Sequence, residues 1–205
     1  MKLYDTRMAP NPRRVRWVMA EKGIEDIEIV PVDLLAGQHR TAEYRAKVGA
    51  PHVPALELDD GTCISESLAI CRYLEAIRPE PNLFGQGAAE QAVVEMWTRR
   101  AEFYLANPMM LHTRFSHPAL AALEAPRPEV AAYNLETAER FMKMMDRHLA
   151  DHEFLALDRF TIADVVAVIG IDFGRLVKYR PPSEHAHLAR WLDACRARPA
   201  ARAGM

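Results

Sequence analysis

The sequence predicts an α/β domain followed by an all-helical domain, and two observations lead to this fold class. Up to residue 79, short segments rich in β-branched residues alternate with segments of helical periodicity, whereas beyond residue 87 almost only helical periodicity is found. The intervening segment has no periodicity and carries Pro and Gly, which is typical of a linker. We therefore expect a first domain over residues 1–79, a linker over 80–87 and a second domain over 88–205.

Bulk composition sets the broad class. A chain of 205 residues that is 50% hydrophobic and 26% charged can bury the cores of two small domains. A net charge of −2 favours neither a nucleic-acid partner nor a membrane surface. Three widely spaced cysteines without a C-x-x-C pair indicate a reducing compartment rather than a disulfide framework. With no apolar leader and no spanning stretch, we expect a cytoplasmic protein.

The first domain opens with a β-α-β pattern. Residues 2–6 and residues 27–32 read as strands, and residues 13–22 read as the helix between them. Asn11 is the expected N-cap of this helix, and Pro12 is its expected first residue. Because a helical crossover joins the two strands, they should pair in parallel.

The remainder of the first domain reads as β-β-α after a short helix over residues 42–47. Strands over 53–58 and 62–64 flank an Asp-Asp-Gly turn signal, so they should be antiparallel. Ser65 is the expected cap of a helix that ends before Pro79. These elements predict a mixed sheet.

The second domain reads as helices throughout. In the longest of them, Phe141, Met145 and Leu149 fall four residues apart and should face the core. Thr161 and Asp164 have the spacing of a capping box before an apolar run, which is a structural feature. The predicted helices cover residues 88–105, 129–152, 163–178 and 185–198.

Two helix starts in the first domain could carry chemistry. The turn over residues 8–14 precedes a helix N-terminus, which can stabilise an anion, a thiolate included; alternatively Asn11 is a plain cap. Glu66 and Ser67 open the last helix of this domain, where a carboxylate and a hydroxyl suit the ammonium and carboxylate of an amino acid. The alternative is an acidic first turn that complements the helix dipole.

Three further features could be either functional or structural. Val53–Pro54 is either a proline at a strand start, which spacing favours, or a cis peptide that pairs with a peptide ligand. The histidine pairs 112/117 and 148/152 lack a third ligand at suitable spacing, so we expect no metal. Arg13, Arg14 and Arg16 read as a solvated helix face.

Taken together these features resemble the glutathione transferase family. The resemblance rests on short motifs in both halves of the chain, in the family's order: Lys2-Leu3-Tyr4, Arg14-Val15-Arg16, Ala20-Glu21-Lys22-Gly23-Ile24, Val53-Pro54-Ala55-Leu56, Glu66-Ser67-Leu68-Ala69-Ile70 and Phe160-Thr161-Ile162-Ala163-Asp164. It implies a thioredoxin-like first domain, a helical second domain, glutathione as co-substrate, no metal, and a homodimer. Residues 56–62 and 99–102 are most similar to an atypical branch known from fungi and bacteria.

The resemblance also assigns the glutathione site. It implies a cis Pro54 with the Val53 backbone pairing with the cysteinyl part, and Glu66 and Ser67 holding the γ-glutamyl end. The residues that fall near the glycine carboxylate are Gln38, His39, Arg40 and His52.

The thiol-activating position departs from the common pattern. Ala9 aligns with the Ser-type position, no Cys lies in this turn, and Tyr4 comes too early, on the strand. Lowering a thiol pKa by two units takes about 2.7 kcal/mol. A helix N-terminus supplies at most ~2 kcal/mol, and one hydrogen bond to a charged group supplies ~1.5–3 kcal/mol. The helix dipole alone is therefore not sufficient, and one hydrogen-bond donor to the thiolate is needed as well. We expect that donor from Asn11 or the backbone near Pro12 and Arg13; the alternative is a water oriented by His112, Ser116 or His117.

The expected activity is attack of the glutathione thiolate on a small apolar electrophile. Side chains expected to contact the electrophile are Met8, Phe103, Tyr104, Met109, Met110, His112 and Phe115. Two alternatives stay open: glutathione-dependent reduction of peroxides or disulfides, and a non-enzymatic binding module on the same fold. Ala9 is the feature that favours the binding module.

Overall fold

The computed structural model describes residues 1–7 and 9–203 and divides into two compact units. One unit is Met1–Pro81 together with Pro199–Met205, and the other is Asn82–Arg198. The C-terminal segment thus groups with the first unit, whereas the sequence pattern placed it with the helical domain. Met8, which we expected at the electrophile site, lies outside the described residues.

A four-stranded sheet forms the centre of the first unit. Its order is β2-β1-β3-β4, with β1 parallel to β2 and antiparallel to β3, and β3 antiparallel to β4. This confirms the predicted mixed sheet and the thioredoxin-like arrangement. The strands are β1 Lys2–Asp5, β2 Glu28–Pro31, β3 Ala55–Glu57 and β4 Cys63–Ser65.

Helix α1 of the first unit begins earlier than predicted. Its N-cap is Ala9, in an extended conformation, and Pro10 is its first residue. Asn11 lies inside the first turn, so its prediction as N-cap is wrong. The reason is that proline fits the first helical position, where its fixed φ suits the helix and no amide is needed. The helices of this unit are α1 Pro10–Glu21, α2 Ala42–Val48 and α3 Ser67–Ile77.

Helices α1 and α3 pack side by side and run in the same direction. Near their starts, Arg14 donates a hydrogen bond to the hydroxyl of Ser67. Near their ends, the Nζ atom of Lys22 lies 2.7 Å from the carboxylate of Glu75. The two helix N-termini therefore lie at the same end of the unit.

The second unit is helical. Its α-helices are α4 Gly87–Ala101, α5 Asn107–Ser116, α6 Pro128–His148, α7 Ile162–Phe173 and α8 Ala186–Arg196. A π-helical turn, Glu102–Ala106, joins α4 to α5. The predicted helix over residues 88–105 covered most of this turn as ordinary helix, whereas α5 was not predicted. The turn packs closely on α7, because a Cβ atom at Gly170 would come within 2.7 Å of the Ala106 Cα.

Helix α7 is the buried centre of this unit. The capping box of Thr161 and Asp164 is confirmed, since the Thr161 amide donates to the Asp164 carboxylate over 2.9 Å. The same carboxylate accepts bonds from the Leu155 amide at 3.0 Å and the Trp191 indole at 2.8 Å. The predicted core residues of α6 are buried as well. Within the described residues, no helix is both long and apolar enough to cross a membrane.

Candidate functional site

The first turn of α1 offers few hydrogen-bond donors. Its first four residues are Pro10, Asn11, Pro12 and Arg13, and the two prolines have no amide N–H. The Arg13 amide is the first that reaches an intrahelical acceptor, the carbonyl of the N-cap Ala9, so the Asn11 amide is the backbone donor left at this positive end of the helix. Ala9 adds no polar side chain, and its own amide donates to the Thr6 carbonyl over 3.2 Å.

The side chain of Asn11 carries an unmet polar atom. Its Oδ1 atom is buried and has no hydrogen-bond partner within the described part of the chain. Buried polar atoms are nearly always paired in folded proteins, and exceptions tend to mark sites where a ligand or water completes the set. An amide oxygen accepts hydrogen bonds, so this atom calls for a donor such as a water or an S–H group, whereas the NH2 group of the same side chain is the part that could donate to a thiolate.

The basic cluster of α1 is not a solvated face, so that interpretation is wrong. Arg14 is 2% exposed and contacts Ser67 of α3. Arg13 donates to the Ala201 carbonyl over 3.2 Å, and Arg16 pairs with Asp5. These arginines hold the first turn of α1 against its surroundings.

The start of α3 has an unusual backbone. Glu66 has φ +68° and ψ 117°, a left-handed conformation that is uncommon for any residue except glycine. Such residues cost roughly 1–3 kcal/mol and concentrate at ligand sites. The Glu66 side chain is exposed and forms no cap, while Ser67 is buried. Ser65 ends β4, so its prediction as the helix cap is wrong.

The segment before β3 is held in one conformation. The Val53–Pro54 bond is cis, as the resemblance implied and as spacing alone did not favour. Tyr44 of α2 donates a hydrogen bond to the carbonyl of His52 over 2.7 Å. The backbone of Val53 is therefore fixed between a tyrosine-anchored residue and a cis proline.

A short 3-10 turn carries the residues expected near a carboxylate. Gln38 and Arg40 are exposed, and His39 between them is buried. The Gln38 side-chain oxygen accepts the Asp33 amide over 2.8 Å, which leaves its NH2 group available. Burial, followed by the positive charges of Arg40, His52 and Arg45, lowers the pKa of His39. These charges form a basic group suited to an anion.

Tyr4 is engaged elsewhere and does not serve the thiol. Its hydroxyl donates to Glu57 over 2.5 Å and accepts from Lys47 over 3.1 Å. Its ring packs against Tyr44 in a buried cluster with Val48 of α2. Burial and the hydrogen bond to Glu57 raise the pKa of Tyr4, so it remains a neutral structural phenol.

Two predicted electrophile-contacting residues are exposed aromatics of the helical unit. Phe103 and Tyr104 lie in the π-helical turn and are 54% and 53% exposed. The Tyr104 ring lies 5.9 Å from that of Phe141, and the Arg99 guanidinium lies 5.5 Å from the Phe103 ring. The turn thus presents a pair of large aromatic surfaces.

The other predicted residues of this unit are less accessible. Met109 is fully buried, and Phe115 and Met110 are half-buried. The His112 Nδ1 atom lies 3.0 Å from the Ala131 carbonyl. The two remaining candidates for orienting a water have partners of their own, since Ser116 donates to the His112 carbonyl and the His117 ring accepts the Ala119 amide.

Arg14 is the site-adjacent residue that sequence reasoning missed. Its signal was present, because Arg14, Val18 and Lys22 are spaced four apart and so share one helix face with a buried valine. The basic run around Arg14 obscured that pattern. Among the described residues, no group of three or more side chains has the arrangement of a metal site.

Comparisons with known proteins agree with this geometry. Residues 3–82 match the family model for the glutathione S-transferase N-terminal domain, and residues 106–199 match that for its C-terminal domain. Glutathione S-transferase 2 of Saccharomyces cerevisiae is 34% identical over 97% of this chain and 87% of its own length.

Solved structures are similar over the full chain. A glutathione S-transferase domain-containing protein from Marinobacter aquaeolei VT8 is 41% identical with a TM-score of 0.93, covering 98% of this chain and 99% of that one. Gtt2 from Saccharomyces cerevisiae is 32% identical with a TM-score of 0.93, covering 100% of both chains.

Proposed function

The chain belongs to the glutathione S-transferase family, and we propose that it joins the thiolate of glutathione to small apolar electrophiles. The observation that carries this proposal is the common direction of α1 and α3. Two positive helix ends lie at one end of the same unit, one available to a thiolate and the other to a carboxylate. Glutathione contains both groups within one small molecule.

The α3 start supports recognition of the γ-glutamyl end. The exposed Glu66 carboxylate complements the ammonium, while Ser67 and the helix N-terminus complement the carboxylate. The backbone of Val53, beside the cis Pro54, pairs with the cysteinyl part as an added extended segment. In this proposal Gln38, His39, Arg40 and His52 contact the glycine carboxylate, next to the positive charges of Arg40, His52 and Arg45.

The α1 start supports activation of the thiol. In this proposal the thiolate lies at the helix N-terminus beside Arg13 and accepts a hydrogen bond from Asn11, through its backbone amide or its side-chain NH2 group. Pro12 has no N–H and Ala9 no polar group, so these two residues shape the turn rather than donate. Dipole and one charged hydrogen bond together reach the ~2.7 kcal/mol that a two-unit shift requires.

The reaction forms a carbon–sulfur bond. The thiolate attacks the electrophilic carbon and the leaving group departs, or a proton from water completes an addition. The protein supplies proximity and thiolate stabilisation without a covalent enzyme intermediate. The exposed rings of Phe103 and Tyr104 favour contact with an apolar electrophile. Met8, His112 and Phe115 stay in the proposed set, whereas Met109, which is fully buried, can contribute only by packing behind such a surface.

We also propose a homodimer in the cytoplasm. Cys63, Cys71 and Cys195, all among the described residues, form no disulfide, which fits a reducing compartment. A non-enzymatic binding module is the second candidate function, and the observation in its favour is the apolar side chain of Ala9 at the thiol position.

A substrate panel tests the proposal. Purified protein with glutathione is assayed against an aryl halide, an organic hydroperoxide and a low-molecular-weight disulfide, with loss of each measured against the uncatalysed rate. We expect catalysed conjugation of the aryl halide. Reduction of the hydroperoxide or disulfide without conjugation of the aryl halide would show that the protein is a glutathione-dependent reductase. No catalysis of any of the three reactions would favour the binding module.

A further inference from the structure

We propose that Arg14 is a positioning residue for ligand binding, because it holds the Ser67 hydroxyl so that its proton points to the carboxylate of the bound γ-glutamyl group. Arg14 lies on α1, outside the set of residues that sequence reasoning placed at the glutathione site. The inference rests on the proposed function and names the side chain that prepares Ser67 for it.

The contact itself limits what Ser67 can do. The Arg14 NH1 atom lies 3.3 Å from the Ser67 Oγ atom, and the residues are 2% and 5% exposed. A guanidinium only donates, whereas a hydroxyl has one proton and two acceptor sites. Arg14 therefore occupies an acceptor site of the oxygen and leaves its single proton for another partner. Ser67 is the first residue of α3, where a carboxylate would also meet the helix N-terminus.

The charge of Arg14 acts in the same direction. A guanidinium stays ionised when buried, so a permanent positive charge lies beneath the start of α3. Its field reaches one turn further into the helix. Burial raises the pKa of Cys71 to about 12, and the charge of Arg14 opposes this increase. A carboxylate at the α3 N-terminus would be attracted by the helix, the hydroxyl and this charge together.

Lys22 provides a matched comparison at the other end of the same helix pair. It is a second buried cation, at the C-cap of α1, eight residues after Arg14 on the same side. Its Nζ atom binds Glu75 at 2.7 Å and the carbonyls of Arg78 and Pro81 at 2.8 and 2.9 Å. Lys22 therefore holds the end of α3 and the turn that follows, while Arg14 holds its start.

A double-mutant cycle tests the inference. The dissociation constant of S-methylglutathione, which has no ionisable thiol, is measured by titration calorimetry for wild type, Arg14→Met, Ser67→Ala and the double variant. We expect each single substitution to weaken binding about tenfold, equivalent to ~1.4 kcal/mol. Because Arg14 acts through Ser67 as well as by its charge, the two losses overlap, and the double variant should weaken binding by clearly less than the hundredfold that two independent tenfold losses would give.

Steady-state kinetics and a control variant separate positioning from stability. Arg14→Met should raise KM for glutathione about tenfold with kcat at saturation unchanged, since only binding is affected. Lys22→Met should lower the midpoint of thermal unfolding without changing KM. If Arg14→Met does not fold, Arg14→Lys, which keeps the charge without the guanidinium fork, enters the same cycle with Ser67→Ala.

The outcomes are distinct. Independent, additive losses in the cycle, or an unchanged dissociation constant in the Arg14 variant, would overturn this inference while leaving the proposed function intact. Failure of the wild-type protein to bind S-methylglutathione would overturn the proposed function and this inference with it.

Discussion

The guanidinium of Arg13 donates a hydrogen bond to the carbonyl oxygen of Ala201, 3.2 Å away, and so joins the C-terminal 3-10 turn to the first turn of α1. Arg13 also lies 5.6 Å from the Trp17 ring, and Ala201 is buried. The end of the chain thus supports the helix start that we propose for thiolate binding.

Removal of the Arg13 side chain should lower the stability of the fold. We expect Arg13→Ala to lower the free energy of unfolding by ~1 kcal/mol, the usual net value of one hydrogen bond. Urea unfolding measures the effect, and Arg45→Ala, an exposed arginine on α2, is the control that should change little. Equal losses in the two variants would show that the Ala201 contact does not contribute.

The buried thiol of Cys71 should make stability depend on pH. Burial raises its pKa from 9.0 to about 12, so the folded thiol stays protonated where the unfolded one ionises. The folded state then binds more protons, and stability falls as pH rises between these values. From pH 8 to pH 10, wild type should lose about 1.4 kcal/mol more than Cys71→Ala in urea unfolding. If wild type and Cys71→Ala lost the same unfolding free energy over this pH range, the raised pKa of Cys71 would be contradicted.

Gly170 is a position where helix propensity and packing predict opposite results. In a helix interior, Gly→Ala should stabilise by roughly 1 kcal/mol on propensity alone. Here the added Cβ would come within 2.7 Å of the Ala106 Cα, so backbone must move. We expect Gly170→Ala to destabilise by about 1–3 kcal/mol, as for other overpacked cores. The sign of the change in the thermal unfolding midpoint distinguishes the two expectations. A midpoint above that of wild type would contradict the close approach of Gly170 to Ala106.

Placing a hydroxyl at the apolar thiol position should increase activity. Ala9 is the N-cap of α1, and serine at this position can donate to a thiolate. One added hydrogen bond to a charged group is worth ~1.5–3 kcal/mol, so we expect Ala9→Ser to raise kcat/KM for conjugation about tenfold or more. Ala9→Val supplies bulk without a donor and should not. An increase of kcat/KM in both variants would indicate that the size of the side chain, rather than its hydrogen bond, is responsible.

Local signals in the sequence accounted for much of the fold. The β-α-β and β-β-α pattern predicted the strand directions, and the spacing of Thr161 and Asp164 predicted their reciprocal bonds. The start of α1 was misplaced because both Asn11 and Ala9 precede a proline, and the choice between them depends on the backbone conformation. Residue preferences at a cap do not supply that information.

Features that depend on tertiary packing were harder to predict from the sequence. The predicted helix over residues 88–105 stopped before Asn107, yet the chain continues through a π-helical turn into α5, held against Gly170. The burial of Arg14 likewise depends on Ser67, which is distant in sequence and comes close only when α1 and α3 pack in parallel. Such contacts join segments that no local pattern relates.

The central claim, that the α1 start stabilises a glutathione thiolate, is tested most directly by ultraviolet difference titration. Glutathione is added to the purified protein, and thiolate absorbance is followed against pH for wild type and for Asn11→Ala. We predict a saturable thiolate signal at neutral pH, well below the free thiol pKa of ~8.5. In Asn11→Ala the pKa of the bound thiol should be about one unit higher than in wild type. Absence of a saturable signal at millimolar glutathione and neutral pH would contradict the account.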